Sequence, residues 1–132
     1  MVATKCGRIP TKEGVAIDRL SPESIRRELE ASLRNLQADC IDLYQIHWPR
    51  PAAEFETAWR VLGVLIEEGL ARYTGVCNFS VDQLSAVGRI RRVTSLQTPY
   101  SMLRRDFEGP LEDYALNKTS ELLYLASSAR DC

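Results

Sequence analysis

Four polar residues stand at the ends of short apolar runs, and as a set they could move a proton and grip a polar ligand. Lys5 closes Met-Val-Ala-Thr-Lys, and His47 closes Ile-Asp-Leu-Tyr-Gln-Ile-His. Asn78 follows Tyr-Thr-Gly-Val-Cys, and Gln97 closes Val-Thr-Ser-Leu-Gln. His47 is the single histidine of the chain. Judged without its position, it reads as a satisfied polar residue beneath a loop. Its place at a strand end, before Trp48-Pro49, moves the reading toward a site. An imidazole there can donate to a carbonyl oxygen or take part in proton transfer.

Lys5 taken alone is a solvated surface charge. At the end of a buried strand, desolvation and a neighbouring cation would both depress its pKa. A lysine beside a histidine can also polarise a hydroxyl acid. Asn78 and Gln97 each carry a donor and an acceptor, and on successive strand ends they fit a primary amide such as that of nicotinamide. Asn78, before Phe79-Ser80, also suits a cap or a turn. Trp48 adjoins His47 and is the candidate wall of a substrate pocket. Trp59 and Phe79 read as packing. The arginines at 89, 91 and 92 read as a solvated helix end.

These residues need elements to position them. Residues 2–5 read as a strand, and 6–20, polar and glycine-bearing, as a loop. Ser21-Pro22-Glu23 opens a helix: a hydroxyl cap, proline at the first helical position, then an acid near the positive end. Ile25, Leu29, Leu33 and Leu36 give it an apolar stripe to about residue 37. A second strand covers 41–48 and stops at Pro49-Arg50-Pro51. A helix over 52–69 follows, with Phe55, Trp59, Leu62, Leu65 and Ile66 on one face and Gly69 at its end. A third strand over 72–77 leads to Ser80-Val-Asp-Gln83, a capping-box pattern that opens a helix to about residue 91. The fourth strand, 93–97, breaks at Thr98-Pro99, and a weaker helix covers 110–117.

Strand and helix alternate, as in parallel α/β folds. Right-handed crossovers then bring every strand's C-terminal end to one face. The expected arrangement is four parallel strands in chain order, with Lys5, His47, Asn78 and Gln97 clustered at one sheet end. No glycine-rich phosphate loop supports a Rossmann or P-loop site.

Composition closes off other functions. The chain has 132 residues, 45% hydrophobic and 27% charged, with a formal net charge of -1. That balance gives no sign of general affinity for nucleic acid or anionic membranes. No apolar run approaches the ~20 residues that span a bilayer, and residues 1–20 lack the apolar core of a signal peptide. The four cysteines are widely spaced and only one histidine is available, so no metal site is expected. Free thiols in a reducing cytoplasm are the simplest reading.

At these residues the chain resembles the aldo-keto reductases. The matching stretches are Thr4-Lys5, Ser21-Pro-Glu-Ser-Ile through Leu33, Ile41-Asp-Leu-Tyr-Gln-Ile-His-Trp-Pro, Glu67-Glu-Gly-Leu-Ala-Arg-Tyr-Thr-Gly-Val-Cys-Asn-Phe-Ser and Leu96-Gln-Thr-Pro-Tyr-Ser. The resemblance implies a partial (β/α)8 TIM barrel of about four parallel units, binding NADP(H) without a Rossmann domain. It implies NADPH-dependent reduction of a small aldehyde or ketone to an alcohol by hydride transfer. Lys5 and His47 match the family's catalytic lysine and histidine. Asn78 and Gln97 match the residues that hold the nicotinamide carboxamide. Cys77 stands where the family has serine beside them, and a thiol is the poorer hydrogen-bond partner.

The family's catalytic Asp and Tyr lie upstream of the stretch matched here, so the chain is expected to be inactive alone. The alternative reading is a non-catalytic NADP(H)-binding regulatory subunit. The family pattern covers residues 1–117, whereas 118–132 read as a divergent tail that a reading-frame shift near Asn117 would explain.

Overall fold

A computed structural model of the chain describes residues 1–100, 107–118 and 121–126. The first strand, β1 (Ala3–Cys6), leads into a small hairpin of β2 (Arg8–Pro10) and β3 (Ala16–Asp18). Then follow α1 (Pro22–Leu36), β4 (Ile41–Ile46), α2 (Phe55–Glu67), β5 (Ala71–Cys77), α3 (Val81–Ile90), β6 (Ser95–Tyr100), α4 (Pro110–Lys118) and β7 (Glu121–Ala126). The main sheet is β1-β4-β5-β6-β7, five strands, all parallel.

The local signals act as expected at the helix ends. Ser21 caps α1 by accepting from the Ser24 amide at 3.3 Å, with Pro22 at the first helical position. Ser80 and Gln83 form the reciprocal capping box of α3, at 3.3 and 3.0 Å. Gly69 ends α2 at φ 77°, a left-handed conformation that costs a glycine nothing. α2 itself has no side-chain cap; the Glu54 carboxylate instead accepts from the Leu20 amide at 3.1 Å.

All four helices lie on one face of the sheet. One continuous core joins Ile25 and Leu29 of α1, Trp59 and Leu62 of α2, Leu84 and Val87 of α3, and Ala115 of α4 to Cys6, Tyr44, Ile46, Val76 and Leu96 of the strands. Trp59 is wholly buried there and donates its indole N–H to the Arg91 carbonyl at 3.2 Å. A doubly wound sheet carries helices on both faces and reverses its strand order. Sequential order with every helix on one side is instead an arc of a (β/α)8 barrel. Among the described residues, no helix is long and apolar enough to cross a membrane.

The structure departs from the sequence reading in three places. The stretch read as a loop over 6–20 contains the β2–β3 hairpin, turned by Thr11 and Gly14, whose chain reversal is closed by two backbone bonds of 2.9 and 3.1 Å. β6 does not break at Thr98-Pro99 but runs on to Tyr100. The reason is directional. Gln97 turns its carbonyl to the Asn78 amide on the β5 side, so Pro99, two residues on, faces the same way. β5 has ended there, and the missing N–H of Pro99 forfeits no ladder bond. Finally, residues 121–126 form a fifth parallel strand, in register with β6 from Ser95↔Glu121 to Tyr100↔Ala126. The sheet is therefore four strand–helix units and one strand more.

Candidate active site

Strand alternation divides the side chains of the sheet. Cys6, Tyr44, Ile46, Val76 and Leu96 meet the helices. The residues between them face the other way, onto the side without helices: Lys5 on β1, Gln45 and then His47 on β4, Gly75 and Cys77 on β5, Ser95 and Gln97 on β6. Cα register places Lys5, Gln45, Gly75 and Ser95 in one row across the sheet. Cys77 and Gln97 form the next row toward the C-terminal ends, and His47 continues it on β4. This is the inner face and upper rim of the barrel arc.

Hydrogen bonds staple the rim together. The His47 amide donates to the Cys6 carbonyl at 2.9 Å. Asn78 sits at φ 60°, a left-handed conformation that asparagine tolerates better than most residues. From there its backbone N–H donates to the Gln97 carbonyl and its Nδ2 donates to the His47 carbonyl, both at 3.0 Å. One residue thus joins the ends of β4, β5 and β6. Asn78 turns the chain as the sequence suggested, and its side chain stands at the rim. The Cys77 thiol donates to Gln97 Oε1 at 3.5 Å.

Electrostatics binds Lys5 into the same cluster. The His47 imidazole is held below the usual histidine range, chiefly by partial burial and then by the Lys5 and Arg8 charges, with Asp18 opposing. Burial pushes the Cys77 thiol up to about 12, and Lys5 opposes that shift. Lys5 is therefore within electrostatic reach of both His47 and Cys77. It is exposed, not buried as the strand-end reading supposed. β1 is the edge strand, and its Lys5 side chain lies on the face the helices leave open. Trp48 stacks beside His47, ring centroids 6.3 Å apart and planes 26° from parallel, and carries the Arg50 guanidinium 4.9 Å from its ring centre.

Among the described side chains, the tyrosines that could act as acids stand elsewhere. Tyr44 is wholly buried on the helix side and donates to the Ile25 carbonyl at 2.9 Å. Tyr114 donates to the Leu84 carbonyl at 3.0 Å, and Tyr73 is exposed lower on the inner face. A cavity of about 340 Å³ between the hairpin and α1 is lined by Arg19, Ser21, Ser24, Arg27 and Glu28, and lies apart from the rim.

Reading by strand ends missed four residues. Arg8 and Asp18 reach His47 because the hairpin folds back beside it. Gln45 and Ser95 lie one row below the rim. Their signal was present: each is two residues before a rim residue, and period two puts it on the same face.

The residues present suit a carboxamide. The described hydrogen bonds use Asn78 Nδ2 and Gln97 Oε1. They leave Asn78 Oδ1 as an acceptor and Gln97 Nε2 as a donor, the complement of a primary amide's N–H and C=O.

Comparison with known proteins bears on the family and the fold. The Aldo/keto reductase family model matches residues 1–122. The aldo-keto reductase YhdN of Bacillus subtilis is 40% identical over 101 residues, covering 76% of this chain and 30% of the relative. An NADH-specific methylglyoxal reductase of Escherichia coli is 33% identical over 123 residues, covering 84% of this chain and 38% of the relative. The structure of the glycerol dehydrogenase AKR11B4 from Gluconobacter oxydans superimposes with a TM-score of 0.87 at 32% identity, over 93% of this chain and 39% of that one. The chain thus spans less than two fifths of these relatives' length. With its parallel arc, its polar rim and a family match over nearly all its length, the chain belongs to the aldo/keto reductase family.

Proposed function

We propose that this chain carries the inner part of a site that reduces a small aldehyde or ketone with a nicotinamide cofactor. The observation that carries the reading is the convergence of Lys5, His47, Asn78 and Gln97 on one end of one sheet face. Asn78 Oδ1 and Gln97 Nε2 would hold the carboxamide of a nicotinamide. A bound reduced nicotinamide supplies the hydride. His47, favoured in its neutral form, donates one hydrogen bond from its ring N–H to the substrate oxygen. The Lys5 ammonium adds positive potential where negative charge gathers on that oxygen. Trp48 offers an apolar wall beside it. Cys77 takes up Gln97 Oε1 and orients the amide.

The cofactor is NADPH by family resemblance, and one relative is named for NADH. The free thiols Cys6, Cys40 and Cys77 fit a reducing cytoplasm. None of the tyrosines whose side chains are described sits beside His47, which supports the reading that the isolated chain does not turn over. Side-chain amide NMR of Asn78 and Gln97, with the His47 ring signals, tests the site directly. Added NADPH or NADH should move those signals first. Unmoved signals at millimolar cofactor would overturn the reading.

A further inference from the structure

Two polar contacts near the rim differ in kind. Beneath it, Gln45 Nε2 donates to Ser95 Oγ at 3.1 Å over Gly75, wholly within the sheet. Behind it, a carboxylate reaches the sheet from a helix. Glu28, half-buried on α1, accepts from the Gly7 backbone N–H at 3.0 Å through Oε2. Its Oε1 accepts from the Ser24 hydroxyl at 3.1 Å. Burial pushes its carboxyl above the usual range, while the Ser24 hydroxyl and the Gly7 and Arg8 amides favour the charged form. Among the described residues no lysine or arginine forms an ion pair with it. A half-buried carboxylate without a cation depends on its hydrogen-bond donors.

What it grips is the turn between the site and the hairpin. The Cys6 carbonyl and the Gly7 N–H belong to one planar peptide unit. The oxygen of that unit accepts from the His47 amide at 2.9 Å, and its N–H goes to Glu28. A single rigid plane thus links the α1 carboxylate to the backbone of His47. Gly7 stands at φ 94°, where an added Cβ would lie 2.7 Å from Leu20 Cδ2. Its carbonyl accepts from the Arg19 amide at 3.1 Å and closes the neck of the hairpin. β2 and β3 form a sheet of their own, apart from the main one, and a two-stranded hairpin alone is marginal in water. Among the described hydrogen bonds, it is tied to the helix layer at its two ends, by Glu28 at Gly7 and by Glu54 at Leu20. Arg8 follows Gly7 directly and has Asp18 as its Cα register partner. We propose that Glu28 is a positioning residue: by fixing the Cys6–Gly7 peptide from the helix layer, it sets the neck of the hairpin and keeps Arg8 and Asp18 beside His47. This rests on the proposed role of His47 for its catalytic meaning, but the positioning can be tested without cofactor or turnover.

The single histidine reports on the hairpin. Lys5 and Arg8 hold its titration down and Asp18 holds it up, whereas Glu28 is not among the charges that act on it. Replacing Glu28 therefore reaches the imidazole through the hairpin. In the 132-residue chain, followed by NMR titration, Arg8→Met and Lys5→Met should each move His47 upward, and Asp18→Asn should move it downward. In a Glu28→Leu background the Arg8→Met and Asp18→Asn shifts should shrink to a small fraction of their size. The Lys5→Met shift should stay, because Lys5 lies on β1 and not on the hairpin. Full-sized Arg8 and Asp18 shifts in folded Glu28→Leu overturn the proposal, as does the absence of those shifts in the parent. Loss of all three shifts together overturns it too, since that is general disruption of the site. If Glu28→Leu fails to fold, the unaltered chain decides. The Gly7 amide proton should titrate with the Glu28 carboxyl, and the His47 amide proton should follow with a smaller shift through the shared peptide; a Gly7 amide that ignores that titration refutes the grip. Cofactor that leaves the Asn78 and Gln97 signals unmoved, while these couplings behave as stated, would remove the reductase reading and leave the positioning role intact.

Discussion

Gly75→Ala should be among the most damaging single-methyl additions in this protein. A Cβ at 75 would meet Ser95 Oγ at 2.1 Å and the Ser95 backbone oxygen at 2.8 Å. The hydroxyl can rotate away, but the carbonyl belongs to the β5–β6 ladder and cannot move without breaking register. Overpacking of this kind costs about 1–3 kcal/mol. The Gln45–Ser95 bond lies across the same atom and is lost too, for about 1 kcal/mol more. The sum, about 2–4 kcal/mol, is a large share of the roughly 5–15 kcal/mol that stabilises a typical domain. With a urea m-value of about 2 kcal/mol/M, the midpoint should fall by about 1–2 M. Gly69→Ala is the control: its φ is 77° but nothing lies within 4 Å of the added methyl, so only the backbone strain of about 1–2 kcal/mol applies. Adding Ser95→Ala to Gly75→Ala should recover part of the loss, because the 2.1 Å contact disappears and the 2.8 Å one stays. A Gly75→Ala midpoint within about 0.5 M of the parent, a change of roughly 1 kcal/mol at that slope, would refute the close crossing of β4 and β6 side chains over β5.

Other outcomes follow from the same geometry. Asn78→Ala keeps the left-handed backbone but loses the bond to the His47 carbonyl, and should cost about 2–3 kcal/mol in urea unfolding. His47 is held below its ordinary value in the folded chain, so the unfolded chain binds the proton more readily and stability falls as pH drops from above about 6.5 toward the lowered value. Subtracting the His47→Gln unfolding profile from that of the parent should isolate this slope, and a difference with no pH dependence contradicts the shift. Iodoacetamide at pH 8 should label half-buried Cys40 before Cys77, whose thiol burial pushes to about 12, or buried Cys6; peptide mapping reads the order. The exposed Arg26–Glu68 pair, 2.7 Å apart with side chains 41% and 40% exposed, should show little coupling in a double-mutant cycle, and less still at high salt.

The sequence alone determined what is local. Ser21-Pro22 and the Ser80/Gln83 box start helices because the capping groups lie within three residues of the amides they satisfy. The polar residues that close apolar runs were enough to place His47 and Gln97 at one end of the sheet, because strand ends of parallel units meet on one side whatever else happens. What the tertiary structure decided is everything that depends on a neighbour distant in the chain. Pro99 stays in a strand because β5 ends before reaching it. Residues 121–126 become a strand because β6 offers them an edge, although their own text carries no clear signal. Lys5 is exposed because β1 is an edge strand. Arg8 and Asp18 join the rim because a hairpin folds back, and Gln45 reaches Ser95, 50 residues away, only because a glycine lies between them. Short-range hydrogen bonds and periodicity are written in the sequence; burial, charge–charge distance and side-chain crossings exist only once the strands lie side by side.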